Sequence, residues 1–176
     1  MPRRSNAALF WTIFAPIVLV DVITKLIAVR LLVPQRLPHD VFGEWVRLTL
    51  VYNPGAAFGL NLGPYSRWIF MALTIGALGI LSRLYQSTRV GDVGRTAALA
   101  LVCAGAVGNL IDRVRSPWGV VDFIDVGWGD MRWPTFNIAD MAVSTGAFLL
   151  AWVLWGEERA STSAAAVEAH PVTSPE

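Results

Sequence analysis

The chain has one cysteine, two histidines and few charges, and each scarcity closes off a class of function. A single cysteine, Cys103, permits neither an intrachain disulfide nor a structural zinc site built on thiolates. It lies in the apolar run 97–107, where a small helix-packing residue is the simplest reading. His39 and His170 have no His, Cys or carboxylate neighbour at ligand spacing, so neither a catalytic metal nor a cofactor is expected. Charged residues make up 15 % of the sequence, against about a quarter in a soluble domain. With a net charge of +1 and no basic tract, nothing suits a phosphate backbone, and nucleic acid is not expected as a partner.

What is abundant is apolar. Hydrophobic residues are 55 % of the chain and its mean hydropathy is +0.52, which defines a membrane protein. A bilayer core takes about 20 mostly apolar residues per helix. Four segments qualify, at 8–32, 66–86, 95–113 and 137–156, and predict an all-α membrane protein with four transmembrane helices. The first begins after Arg3 and Arg4 like a secretory leader, but it is too long, runs on through Asp21 and Lys25, and lacks a small-x-small cleavage site. It reads as a retained helix. No repeat and no second domain is visible, so residues 1–160 form one membrane-embedded unit. Ser161 to Glu176, made of Ala, Ser, Thr, Pro and Glu without periodicity, reads as a disordered tail.

Two polar stretches, 33–65 and 114–136, follow odd-numbered helices and therefore share one side of the membrane. In the first, Val46 to Tyr52 is β-branched and partly alternating, and Asn53-Pro54-Gly55 follows, which predicts a short strand entering a turn. In the second, Trp128 and Trp133, with Trp118 nearby, suit the membrane–water interface. Arg3, Arg4, Arg83, Arg89, Arg95 and Arg159 mark one side, and Arg36, Arg47, Arg67, Arg115 and Arg132 the other. The short loop at 87–94 carries the greater weight, so both termini are expected in the cytoplasm.

The informative residues are polar groups where a membrane helix should avoid them, since a central charge costs at least about 2.5–3.5 kcal/mol. Asp21 and Lys25, four apart on one helix face, read most simply as an internal ion pair. Asn109, Asp112 and Arg113 gather at the end of the third helix, where Asp112 with Arg113 reads equally as an interface anchor or as part of a site. Asn137 reads as the N-cap of the fourth helix. Asp125 and Asp130 read as solvated loop acids. Asp122 also falls in the loop between the third and fourth helices, but within the strand-like apolar frame Val120-Val121-Asp122-Phe123-Ile124, and Asp140 stands one turn inside the fourth helix. These two carboxylates are the candidate functional pair.

Five short motifs occur in order: Asp21-Val-Ile-Thr24-Lys25, Asn53-Pro-Gly55-Ala-Ala57-Phe58-Gly59, Gly108-Asn109-Leu-Ile-Asp112-Arg113, Val121-Asp122-Phe123 and Phe136-Asn137-Ile-Ala139-Asp140. Together they resemble lipoprotein signal peptidase, the bacterial signal peptidase II family, over roughly residues 10–156. Segment 127–133 and Pro54 are local variation. The resemblance implies four helices with a small periplasmic β-cradle and a short helix on the outer side. It implies an aspartyl endopeptidase of the bacterial inner membrane that cuts diacylglyceryl-modified prolipoproteins just before the lipidated cysteine. By residue, it implies Asp122 and Asp140 as the catalytic dyad, and Asn53, Asn109, Arg113 and Asn137 as dyad-supporting or substrate-holding. Asp21 and Lys25 become a structural pair. The enzyme is expected to work as a monomer, with its active site on the periplasmic side.

Two other classes compete on the residues alone. A small transporter would also bury Asp, Asn and Lys, but predicts inverted repeats or matched broken helices, which the sequence lacks. An assembly factor would use polar residues only to hold helices together, which does not account for an acid outside the helices at Asp122.

Overall fold

The computed structural model describes residues 6–55 and 62–169. Four apolar runs form helices: α1 (Asn6–Leu31), α2 (Ser66–Gln86), α3 (Val93–Arg115) and α4 (Ile138–Ala169). Each contains a segment long and apolar enough to cross a membrane. Pro16 lies inside α1, as membrane helices tolerate. α3 packs against the other three helices, and Ala98, Leu99, Ala100 and Ala104 on it are fully buried. Small residues let the backbones close: a Cβ on Gly105 would run into the Ala139 carbonyl and Val143, and one on Gly146 into Val102. By contrast Gly76 and Gly79 on α2 face open space, on a helix whose Leu73, Ile75 and Ile80 are exposed as lipid contact requires.

The ends are tied locally. Asp92 caps α3 by accepting from Arg95 N at 3.0 Å. Asn6 bridges the α2–α3 turn, donating to the Arg89 carbonyl and accepting from Gly91 N, both at 2.9 Å. Arg67 closes the other end of α3, donating to the carbonyls of Arg113 and Val114 at 2.6 and 3.2 Å. The tail expected from residue 161 begins differently: α4 continues to Ala169, through the run Ala164, Ala165, Ala166 of the strongest helix former. Residues 170–176 lie outside the described residues.

Between the helices, both polar stretches contribute to one antiparallel sheet, β1 (His39–Phe42), β2 (Val46–Asn53), β3 (Val120–Trp128) and β4 (Met131–Arg132), in that spatial order. β2 is the strand expected from the alternation. Asp122 is not in a loop: it lies within β3, paired in register with Val51. Leu50, Val121 and Phe123 pack on Ala28 and Leu32 near the end of α1, which seats the sheet on the bundle. Because neighbours on a strand alternate faces, Val121 and Phe123 turn to α1 and Asp122 turns the other way. Asp125 and Asp130 separate here. Asp125 is buried, pairs with Arg132 at 2.8 Å and accepts from Thr49 Oγ1 at 3.1 Å, so it is a structural acid of the sheet rather than a solvated one. The short outer-side helix corresponds to a single 3-10 turn at Gly63–Tyr65, with 56–61 outside the described residues.

Candidate active site

Asp122 on β3 and Asp140 in the first turn of α4 line one cleft of about 670 Å³, with Asn53, Asn109 and Arg113 also on its wall. Asn137 lies fully buried beneath it. The structure therefore brings the six site residues expected from the sequence into one place.

Three asparagines hold the two acids by the same logic. In each, the amide oxygen is taken by a fixed donor, which leaves the NH2 group facing a carboxylate. Asn53 Oδ1 accepts from Gly55 N at 3.0 Å, and its Nδ2 donates to Asp122 Oδ2 at 3.2 Å. Asn137 Oδ1 accepts from Asp140 N at 2.9 Å, and its Nδ2 donates to Asp122 Oδ1 at 2.7 Å. Asn109 Oδ1 accepts from Lys25 Nζ at 2.9 Å, and its Nδ2 donates to Asp140 Oδ1 at 2.8 Å. Asp140 Oδ2 accepts from Asn137 N at 3.1 Å. Every oxygen of the pair thus has an N–H partner. The Asn53-Pro54-Gly55 turn and the α4 cap, both legible as local signals, are what aim two of these amides.

Electrostatics separates Asp122 from an ordinary surface acid. Burial pushes its pKa up to about 7, and the charge of Asp140 adds to the rise. The hydrogen bonds from Asn53 and Asn137, and the Lys25 charge, act in the opposite direction and are outweighed.

Arg113 is buried on α3 and donates to the Gly55 carbonyl at 2.9 Å and to Asn109 O at 3.3 Å, with its guanidinium 5.8 Å from the Phe70 ring centroid. Asp112 points elsewhere: it pairs with Lys25 at 2.9 Å and accepts from Val121 N at 3.1 Å, so it joins α1, α3 and β3 rather than anchoring a helix end with Arg113. The expected Asp21–Lys25 pair is present at 2.9 Å, with both residues buried, but it is part of a larger set. Lys25 uses its three N–H donors on Asp21, Asp112 and Asn109. Asp21 Oδ1 accepts from Ala139 N at 2.9 Å, a second cap on α4 beside Asp140. Nothing local announces that contact, because the two residues are 118 positions apart.

Four helices able to span a membrane, with one carboxylate on β3 and one in the first turn of α4 lining a single cleft, fit the class of membrane-embedded aspartic endopeptidases. The family model for signal peptidase (SPase) II matches residues 13–156, and the chain belongs to that family, whose members remove signal peptides from prolipoproteins. It is 42 % identical over 155 residues to a lipoprotein signal peptidase of Mycolicibacterium smegmatis, covering 85 % of this chain and 61 % of that protein. Counterparts in Mycobacterium avium and Pelotomaculum thermopropionicum are 39 % and 41 % identical, each over 85 % of this chain and over 79 % and 93 % of their own length. Two solved structures described as a bacterial membrane enzyme, determined by the in meso method at 2.3 and 1.9 Å resolution, superpose with a TM-score of 0.75 at 30 % identity. They align over 85 % and 88 % of this chain and 88 % and 97 % of theirs.

Proposed function

We propose that Asp122 and Asp140 are the catalytic pair of this peptidase and that its substrate is a diacylglyceryl-modified prolipoprotein, cut just before the lipidated cysteine. The observation that carries the reading is the set of three asparagine amides that present donors to both acids within one cleft. Two adjacent carboxylates do not ionise together easily, so the pair holds one proton between them. Burial pushes Asp122 up to about 7, and the role proposed for it is the proton donor. Asp140 then takes a proton from the attacking water while Asp122 donates to the carbonyl oxygen, and a carboxyl proton passes to the leaving nitrogen as the C–N bond breaks. Asn-held oxygens and a neighbouring arginine suit this acid pair and disfavour a cation between them, so the reaction needs no metal. Arg113, bonded to the Gly55 carbonyl, steadies the turn that carries Asn53 and borders the substrate's path.

The cleft lies at one end of the bundle, and the α2–α3 turn with Arg89 and Arg95 lies at the other. Short loops rich in arginine stay cytoplasmic, which supports cytoplasmic termini and an active site on the outer side. A dyad at a helix start and on an adjoining strand lets acyl chains remain in the bilayer while the peptide reaches water. The enzyme works as a monomer and has no nucleic-acid partner.

The test is a gel-shift cleavage assay on a lipid-modified prolipoprotein in micelles, with wild type beside Asp122→Asn and Asp140→Asn. Wild type cleaves only the lipidated substrate, and each variant inserts normally but does not turn over. Normal cleavage by either variant would overturn the assignment of the dyad.

A further inference from the structure

The sheet carries its largest exposed apolar side chains at the end far from the acids. The pairings of Phe42 with Val46, Val46 with Val126 and Trp128 with Met131 bring one end of all four strands together. Phe42, Trp45, Trp128 and Met131 gather there and are 58 to 85 % exposed. The indoles of Trp45 and Trp128 stack with centroids 4.9 Å apart, above a backbone tied by Gly127 N donating to the Trp45 carbonyl at 3.0 Å. An apolar hollow of about 630 Å³ opens between them, Val126 and Met131. At about 3.3 Å per strand residue, this end lies about 20 Å from Asp122.

We infer that this end of the sheet is a membrane anchor, embedded in the interfacial zone of the leaflet on the active-site side, so that the sheet lies along the bilayer surface. A contiguous exposed apolar patch marks a contact surface, and indoles, apolar with one polar N–H, suit the lipid headgroup level. Two observations make lipid the occupant. First, the patch continues the lipid-facing surface of α1: Leu31 at the helix end, Val33 and Leu37 in the connection, and Val41 on β1 are all exposed. Second, the base of the sheet is fixed to that same end of α1 through Ala28 and Leu32. An arm that starts where α1 leaves the hydrocarbon and ends in aromatic side chains meets the membrane by lying along it. Directed away from the surface, it would leave all four side chains in water. The consequence is a dyad held at a constant depth beside the headgroups. The inference rests on the chain's place in a membrane and not on the peptidase reading.

The test places a nitroxide on Met131→Cys in a Cys103→Ala background, leaving both indoles intact, with the protein in lipid nanodiscs. Oxygen, which concentrates in the bilayer, is expected to collide with the label several-fold more than a water-soluble nickel chelate does. Changing Trp45→Ser and Trp128→Ser together is expected to return the label to nickel, while the helices stay inserted. A label reached equally by nickel in wild-type sheet context overturns the anchor. Dipolar broadening between labels on two copies overturns it in favour of a self-association surface, and shielding that appears only on adding a prolipoprotein overturns it in favour of substrate docking. Phe42→Cys serves as the second labelled position if Met131→Cys expresses poorly. None of these readouts depends on cleavage.

Discussion

Asn137 and Asp140 close a reciprocal capping box: Asp140 N donates to Asn137 Oδ1 at 2.9 Å, and Asn137 N donates to Asp140 Oδ2 at 3.1 Å. The same bonds that start α4 orient an acid of the pair, and they fix the Asn137 amide so that its NH2 group meets Asp122. Helix initiation and site geometry are one arrangement.

That coupling is separable. Serine is as good an N-cap as asparagine, whereas alanine loses about 1 kcal/mol. Asn137→Ser is expected to cap α4 but to lose at least about tenfold in turnover, since the shorter side chain, with its Oγ held by Asp140 N, no longer reaches Asp122 as the amide NH2 does. Thermal unfolding and kcat measured on one detergent preparation decide this, and a Ser variant with full turnover removes the amide from the mechanism.

The pH profile follows from Asp122. Its carboxyl is protonated below about 7 and ionised above, so the proton donor is present on the acid side and lost on the alkaline side. kcat/KM is therefore expected to fall as pH rises through about 7. Asn53→Ala removes a bond that favours the ionised form, which raises the pKa further and moves the falling limb to higher pH. A limb that moves to lower pH in this variant contradicts the proposed role of Asp122 as donor.

Lys25 bridges the buried Asp21 and the partly buried Asp112. Lys25→Met leaves Asp21 and Asp112 without their shared cation, and breaking a buried ion pair in this way costs about 3–5 kcal/mol. It also removes the donor that orients Asn109 toward Asp140. Low yield of folded protein and a lowered melting temperature are expected together. A variant that purifies and melts like wild type would show that the three contacts of the ammonium contribute little.

Glycines on α3 and α2 provide a paired test of packing. Gly105→Ala drives a methyl group into the Ala139 backbone carbonyl and Val143, so the α3–α4 contact must shift, and should cost roughly 1–3 kcal/mol. Gly79→Ala meets nothing and improves helix propensity, so it should leave stability unchanged or slightly raised. Parallel thermal unfolding curves check both, and equal melting temperatures would contradict the close α3–α4 contact.

Much of the architecture is written locally. Hydrophobic run length alone marks the four spans, because the bilayer thickness sets a helix length that sequence can satisfy without neighbours. β-branched alternation marks β2, and Asn53-Pro54-Gly55 and Asn137 mark a turn and a cap through their own backbone preferences. Asp122 and Asp140 stand out because carboxylates in apolar surroundings are costly. The α4 boundary was less legible, since a polar, alanine-rich continuation has helix propensity but no hydrophobic period.

Other assignments depended on partners distant in the chain. Asp125 has the composition of a loop acid and becomes a buried structural one only when β3 and β4 bring Arg132 to it and β2 supplies Thr49. Asp112 reads from spacing as a partner of Arg113, yet helix rotation sends it to Lys25 and Val121. Asp21 reads as the partner of Lys25, and only the α1–α4 contact reveals it as a cap on Ala139. By itself, then, the sequence determined which segments span the membrane and which acids are out of place, because both follow from transfer of single residues out of water. Only the tertiary structure decided which acid is held by which donor, because an amide's orientation and an ion's partner are set by groups that folding brings from elsewhere.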